Sequence, residues 1–351
     1  MDFLPAPAIS NALTGAIAAG DLGYPDWRSI IGDSPATDAF VARCASRYGW
    51  HIAAADTREF NDVVQVIQVL LHTCTSPGDG VVVHTPSYPP FLHSVAASKL
   101  RLVPVPAERA AGSAARWEFD YDALDATLLA EPARVLLLCH PHNPTGHVFG
   151  DAELRRIAEL AERHDLLIIS DEIHADLTFP SLVHRPVALF APDRTVTIHA
   201  ASKAFNLAGL RYAIAHFGSQ GAKKAVADLP AHMLGATNVM AAVAAEAAWR
   251  DGDEWLTAVV AHLDRQRTLL SSLLAQHLPD IVYTPPAATY LAWLDCRALL
   301  LGDDPSAHFL ESGVRLSEGP NFGSEGNGFA RLNFATSSTI LGEIVQRMAT
   351  P

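Results

Sequence analysis

The feature that most constrains this chain is a set of short, uninterrupted apolar runs, "VVV" at 81–83, "VLLL" at 135–138 and "LLII" at 166–169, each followed by polar residues. A strand with one face in water alternates apolar and polar side chains, whereas a strand covered on both faces does not. Helical patterns separate these runs. "DVVQVIQVLLHTC" (62–74) is long and apolar and closes on the turn "SPGDG", while "DAELRRIAELAERH" (151–164) is amphipathic, with Asp151 placed to cap it. "RTVTIHAASK" (194–203) and "YAIAHFG" (212–218) add two more strands. The order predicts an α/β domain whose largely parallel sheet has helices on both faces.

Past about residue 240 the pattern changes. An Ala-rich helix, "NVMAAVAAEAAWRDG", and a long helical segment, "WLTAVVAHLDRQRTLLSSLLAQHL", precede two strand-like stretches, "ATYLAWLDC" and "GFARLNF". These predict a smaller α+β domain formed by residues 1–24 and 246–351, beside a large domain at 25–245. Trp249, Trp255 and Trp293 read as core or interdomain packing.

With 351 residues, 49% of them hydrophobic, the chain is large enough for a sizeable core. Its formal charge of −13 argues against nucleic acid or an anionic membrane surface as partner, since both need excess basic charge. A small-molecule partner is expected. No apolar stretch is long enough to span a bilayer, and "MDFLPAPAIS" lacks the basic and apolar regions of a signal peptide, so the expected location is the cytoplasm. Cys44, Cys74, Cys139 and Cys296 are scattered without a CxxC pair, which suits free thiols. The histidines show no metal-ligand spacing on one element, and no metal is expected.

Polar groups gather where consecutive strands end: Asn143 in "HPHNPTG", Asp171 in "SDEIHAD" and Lys203 in "HAASKAFN". In open α/β sheets that edge is where ligands bind. Lysine is scarce here, the others being Lys99, Lys223 and Lys224. Lysine can lose its proton and form an imine, and arginine can do neither. Lys203 is thus either a solvated surface charge or a covalent anchor. A lysine, a carboxylate and an amide converging at strand ends suit pyridoxal 5'-phosphate, which needs a lysine for its aldehyde and a carboxylate to keep its ring nitrogen protonated.

"HNPTG", "SDEIHAD" and "SKAFNLAGLR", in this order and spacing, resemble the fold-type I pyridoxal-phosphate enzymes of the aspartate aminotransferase superfamily. With "GYPDW", "VVVHTPSYPPF", "ATYLAWLD" and "EGNGFARLNF", nearly the whole chain is most similar to its cystathionine β-lyase branch, typified by MalY and PatB. The resemblance implies the fold-type I transferase fold. It makes Lys203 the covalent anchor and proton shuttle, Asp171 the partner of the ring nitrogen and Asn143 a contact of the ring hydroxyl, with His174 on the same edge. Tyr88 would stack on the ring face. Ser202, Arg211 and the backbone amides of Val63 and Val64 would hold the phosphate, the latter through the helix dipole. Tyr24 would reach the phosphate from the neighbouring subunit, which implies a homodimer, and Arg331 would clamp the substrate carboxylate. Plainer readings exist for Asp171 as a cap, Tyr88 as turn packing, His174 as a backbone-satisfying histidine and Arg331 as a surface ion pair.

Three departures from the family pattern stand out. Relatives carry a further stretch ahead of "MDF" that usually lies across the mouth of the active site, a departure that bears on substrate binding more than on cofactor binding. Ala200 stands where a phosphate-binding Ser or Thr is common, and Asp62 where a small neutral residue usually opens the phosphate cup. A carboxylate there would repel a phosphate unless it points away or is offset by Arg211. The activity implied is carbon–sulfur β-lysis of a cysteine S-conjugate to a thiol, pyruvate and ammonia. The alternatives are an aminotransferase, including one in a specialised biosynthetic pathway, and a regulatory protein-binding role on the same fold.

Overall fold

A computed structural model describes residues 1–24, 34–110 and 117–350. Residues 25–33, which hold the expected start of the large domain and most of "GYPDW", lie outside the described residues.

The main sheet is assembled from β1 (Thr57–Phe60), β2 (Gly80–Thr85), β3 (Arg101–Arg109), β4 (Trp117–Phe119), β5 (Val135–Cys139), β6 (Leu167–Asp171), β7 (Thr195–His199) and β8 (Ala213–Phe217). Its order is β1-β8-β7-β6-β5-β2-β3-β4. The strands from β7 through β6, β5 and β2 to β3 are parallel. The β8, β1 and β4 strands at the two margins pair antiparallel. The sheet is therefore mixed but mostly parallel.

The apolar runs are covered on both faces, as their composition requires. Val81, Val83, Leu137 and Ile169 point into one cluster with Ile67 and Leu70 of the helix Val63–Cys74. Their chain neighbours Val82, Leu136, Leu138 and Ile168 point into another, with Leu154, Ile157 and Leu160 of the helix Asp151–Arg163. Each such side chain stabilises the fold by about 1.5–3 kcal/mol through burial. The cap of that second helix lies one residue earlier than the sequence suggests. Gly150 is the cap and donates its N–H to Glu153 at 3.0 Å, while Asp151 is the first helical residue and acts through its charge in the opening turn.

A second, antiparallel sheet follows, made of β9 (Val282–Tyr283), β10 (Leu291–Asp295), β11 (Ser317–Glu318) and β12 (Phe329–Asn333) in the order β11-β12-β10-β9. It shares one large core with the helices Pro7–Ala19, Pro35–Tyr48, Val239–Asp251 and Asp253–His277. Trp249 and Trp293 are buried, and Trp255 packs at the margin. The cysteines are free, Cys44, Cys139 and Cys296 being buried. Among the described residues no helix is long and apolar enough to cross a membrane.

Candidate active site

The sheet order sets β5, β6 and β7 side by side, so the polar residues that follow them emerge along one edge. Asp171 ends β6 and Asn143 lies in the loop after β5. Lys203 lies in the turn after β7. They line one cavity of about 550 Å³, whose wall also includes Val63, Val64, Tyr88, His174, Ser202, Arg211 and Arg331. Every site residue expected from sequence is thus brought together except Tyr24. Tyr24 is 93% exposed and does not line the cavity of its own chain.

Asp171 is buried, and desolvation pushes its carboxyl up to about 7 against the opposing effects of the Ile173 N–H, donated at 3.1 Å, and the Lys203 charge. Burial lowers the Lys203 ammonium below its ordinary range, with Asp171 attraction pulling the other way. The two shifts express one fact: each charge is poorly solvated, and the other is the largest charge that offsets this. His174 is held down to about 3, first by burial and then by Lys203 and Arg331, so its imidazole is neutral at neutral pH. Its Nδ1 is buried with no partner among the described residues.

Arg331, on β12, reaches across from the small sheet. Its guanidinium donates to Asn143 Oδ1 at 2.8 Å and to Ser317 Oγ of the neighbouring β11 at 3.1 Å, and lies 4.8 Å from the centre of the Phe322 ring. A guanidinium carries five N–H groups, so both terminal nitrogens keep donors for a carboxylate. Tyr88 immediately precedes the helix Pro89–Ala97, and burial raises its phenol above the ordinary value.

Val63 and Val64 open the helix Val63–Cys74. At that helix start the Asp62 carboxylate accepts from the N–H groups of Val64 at 2.7 Å and Gln65 at 3.2 Å. Its other oxygen pairs with Arg211 at 2.7 Å. Of the two ways to relieve the carboxylate, the molecule uses the offset by Arg211, and Asp62 faces the cavity.

Tyr290, Ser317 and Asn333 also line the wall and carry no signal in the sequence pattern. Tyr290 immediately precedes β10 and Asn333 ends β12, and the pairing of these strands brings both to the site. A further missed residue is Asp176. Its carboxylate accepts from Arg43 Nε at 3.0 Å and Tyr48 Oη at 2.5 Å and pairs with Arg47 at 2.9 Å, which anchors the loop bearing His174 to the helix Pro35–Tyr48.

This donor set fits pyridoxal phosphate. A lysine of lowered basicity, a buried carboxylate with an elevated pKa and an unpartnered imidazole surround one space, with helix-terminal amides and a guanidinium at one end. A cationic ring nitrogen would relieve the desolvated Asp171, which has no arginine of its own among its perturbing neighbours.

A family profile described as "Aminotransferase class I and II" matches residues 22–348. A Mycobacterium tuberculosis protein provisionally named a cystathionine beta-lyase is 37% identical over 377 residues, spanning 99% of this chain and 89% of the relative. The cystathionine beta-lyase PatB of Bacillus subtilis is 32% identical over 355 residues, spanning 99% of this chain and 89% of its own. Among solved structures, the pyridoxal-phosphate-bound C-S lyase of Staphylococcus hominis superimposes with a TM-score of 0.92 at 27% identity, covering 99% of this chain and 90% of that one. The mixed, mostly parallel sheet and the motif-bearing strand ends agree with these likenesses, and the chain belongs to the aminotransferase class I and II family.

Proposed function

We propose that this protein is a pyridoxal-phosphate-dependent carbon–sulfur β-lyase that converts a cysteine S-conjugate and water to a thiol, pyruvate and ammonia. The observation that carries the reading is the cavity in which Lys203 and buried Asp171 compensate each other while Arg331 reaches in from the second sheet. The names of the C-S lyase relatives support it.

Lys203 would hold the cofactor, which when bound supplies an electron sink for the pair left behind by the α-proton. Asp171 would accept the ring nitrogen's N–H, and its burial strengthens that contact. Arg331 would bind the α-carboxylate through two parallel N–H groups, which orients the α-C–H bond. Freed by substrate, Lys203 Nζ would take the α-proton. An unperturbed lysine has a pKa of about 10.4 and is a poor base at neutral pH, so the downward shift from burial favours this role. Neutral His174 would offer its unpartnered nitrogen to the ring's polar edge, beside Asn143. Tyr88 would cover the ring face, and Ser202, Arg211 and the Val63 and Val64 amides would hold the phosphate.

Tyr24, exposed and away from its own cavity, is free to serve a second copy, which supports a homodimer. A cytoplasmic location goes with this reading, since free thiols suit a reducing compartment.

The test incubates cofactor-loaded protein with L-cystathionine and with a bulkier cysteine S-conjugate, and follows pyruvate, free thiol and transfer of the amino group to an added oxo acid. Pyruvate and thiol in equal amounts over many turnovers is the expected result. Amino transfer without pyruvate would refute the lyase and establish an aminotransferase.

A further inference from the structure

Two of the donors that the cofactor's phosphate would use are already engaged. The Val64 amide donates to Asp62 at 2.7 Å, and Arg211, the arginine beside that helix start, pairs with the same carboxylate at 2.7 Å. Arg211 has a backbone φ of 59°, in the left-handed region that residues with a Cβ rarely adopt. The backbone is thus held in an uncommon state where it delivers a guanidinium to Asp62. The Asp62 side chain is 22% exposed and lines the cavity, so the carboxylate sits at the boundary of the space a phosphate would fill. Ala200 brings no hydroxyl to share the load.

A carboxylate in this position acts as an internal anion. It neutralises the helix terminus and Arg211 when no phosphate is present. An incoming phosphate dianion meets a like charge bound to its own ligands. Either Asp62 turns away and leaves the Val64 and Gln65 amides, or it stays and repels the newcomer. Both paths weaken binding of the phosphate, whereas at the aldehyde end Asp62 is the least of the electrostatic influences on Lys203.

We propose that Asp62 is a specificity-determining residue that lowers affinity for the cofactor through its phosphate, by competing for the Val64 amide and Arg211. Cofactor loading is then an exchange of one anion for another, and the protein holds its cofactor less tightly than the rest of its site would allow. This rests on the reading of the cavity as a pyridoxal-phosphate site but does not depend on which reaction follows.

The test uses full-length protein, dialysed free of cofactor and titrated with pyridoxal 5'-phosphate and, separately, with pyridoxal, following absorbance of the bound chromophore. Asp62→Ser keeps a good helix cap while removing the charge, and Asp62→Asn does so with nearly the same shape. Both are expected to bind pyridoxal phosphate about tenfold more tightly, the size of a lost charge-assisted contact. Affinity for pyridoxal, which carries no phosphate, should change far less, since Asp62 acts on Lys203 only weakly. A merely structural role for Asp62 would move both ligands together, and that result overturns the proposal. Equal or weaker binding of pyridoxal phosphate by both variants overturns it as well. If neither the unaltered chain nor the variants bind pyridoxal phosphate, the cofactor reading falls and this inference with it. Tighter binding by the variants without pyruvate formation would remove the lyase and leave the role of Asp62 standing.

Discussion

Replacing Asp171 with Asn should stabilise the cofactor-free protein at alkaline pH while removing its capacity for catalysis. Burial raises the Asp171 carboxyl from 3.8 to about 7, so between those values the folded chain keeps a proton that the unfolded chain has lost. Stability therefore falls as pH rises through this window, because the folded state then binds more protons than the unfolded one. At 1.36 kcal/mol per pH unit the full effect is about 4 kcal/mol, an upper bound because a buried site relaxes and admits water. Below about pH 4 the carboxyl is protonated in both states and the contribution is absent; above about 7 it is complete. Asparagine is never ionised, so the variant escapes this cost. The assay is thermal unfolding of cofactor-free protein at intervals from pH 5 to pH 9, unaltered chain beside Asp171→Asn. The variant should gain steadily over the unaltered chain up to about pH 7 and hold a gain of several degrees above it. Adding pyridoxal phosphate should reverse the order, since a cationic ring nitrogen favours the carboxylate and not the amide. Unfolding curves that run parallel at every pH would refute the claim that desolvation of Asp171 outweighs the compensation that Lys203 provides.

Three further outcomes are expected. Arg331→Gln should leave cofactor absorbance intact and raise the KM for a cysteine S-conjugate by roughly 10–100-fold, matching about 1.5–3 kcal/mol for hydrogen bonds to a charged group; loss of the cofactor instead would place Arg331 outside the substrate clamp. Asp176→Ala leaves the Arg43 guanidinium buried beside Tyr48 without its main carboxylate, so denaturant unfolding should show a loss of about 3–5 kcal/mol; a change under about 1 kcal/mol would mean that Asp253, 2.7 Å from Arg43, is a sufficient partner. Tyr24→Ala and Lys203→Ala chains, each impaired alone, should recover activity when refolded together, because one mixed site would then carry an intact Tyr24 and an intact Lys203; no recovery would count against a shared site.

Much of the site is legible in the order of amino acids alone because it lies where apolar strand signals stop. A stretch such as "VLLLC" is recognisable without knowing its neighbours, and the chemistry-bearing Asn143 and Asp171 stand just past two such stretches, with Lys203 after the strand "TVTIH". Weaker elements escape for definite reasons. The strand Thr57–Phe60 reads "TREF", with a buried Glu59 that accepts from Thr237 at 3.2 Å and from Thr37 at 3.3 Å, so its burial rests on polar satisfaction that hydrophobic periodicity cannot register. In β3 the prolines at 104 and 106 argue against a strand, yet β4 pairs only with residues 107–109, so among the described residues no strand on that side requires their missing N–H groups.

The sequence by itself determined that the sheet would be covered on both faces, that a lysine, a carboxylate and an amide would stand at strand ends, and that a carboxylate would stand at the phosphate cup. The alternation of strands and helices predicted a largely parallel sheet, but strand order, and which strands run antiparallel, were beyond it, because a strand buried on both faces looks the same whether it runs parallel, like β7, or antiparallel, like β8. Only the tertiary structure decided that β5, β6 and β7 would be adjacent, and that Arg331 would cross from a second sheet to Asn143, 188 positions away in the chain. It also decided that Asp62 would turn toward the helix amides and Arg211 rather than away. Local periodicity records which faces of an element are dry, whereas contacts between distant elements depend on how those dry faces pack against one another.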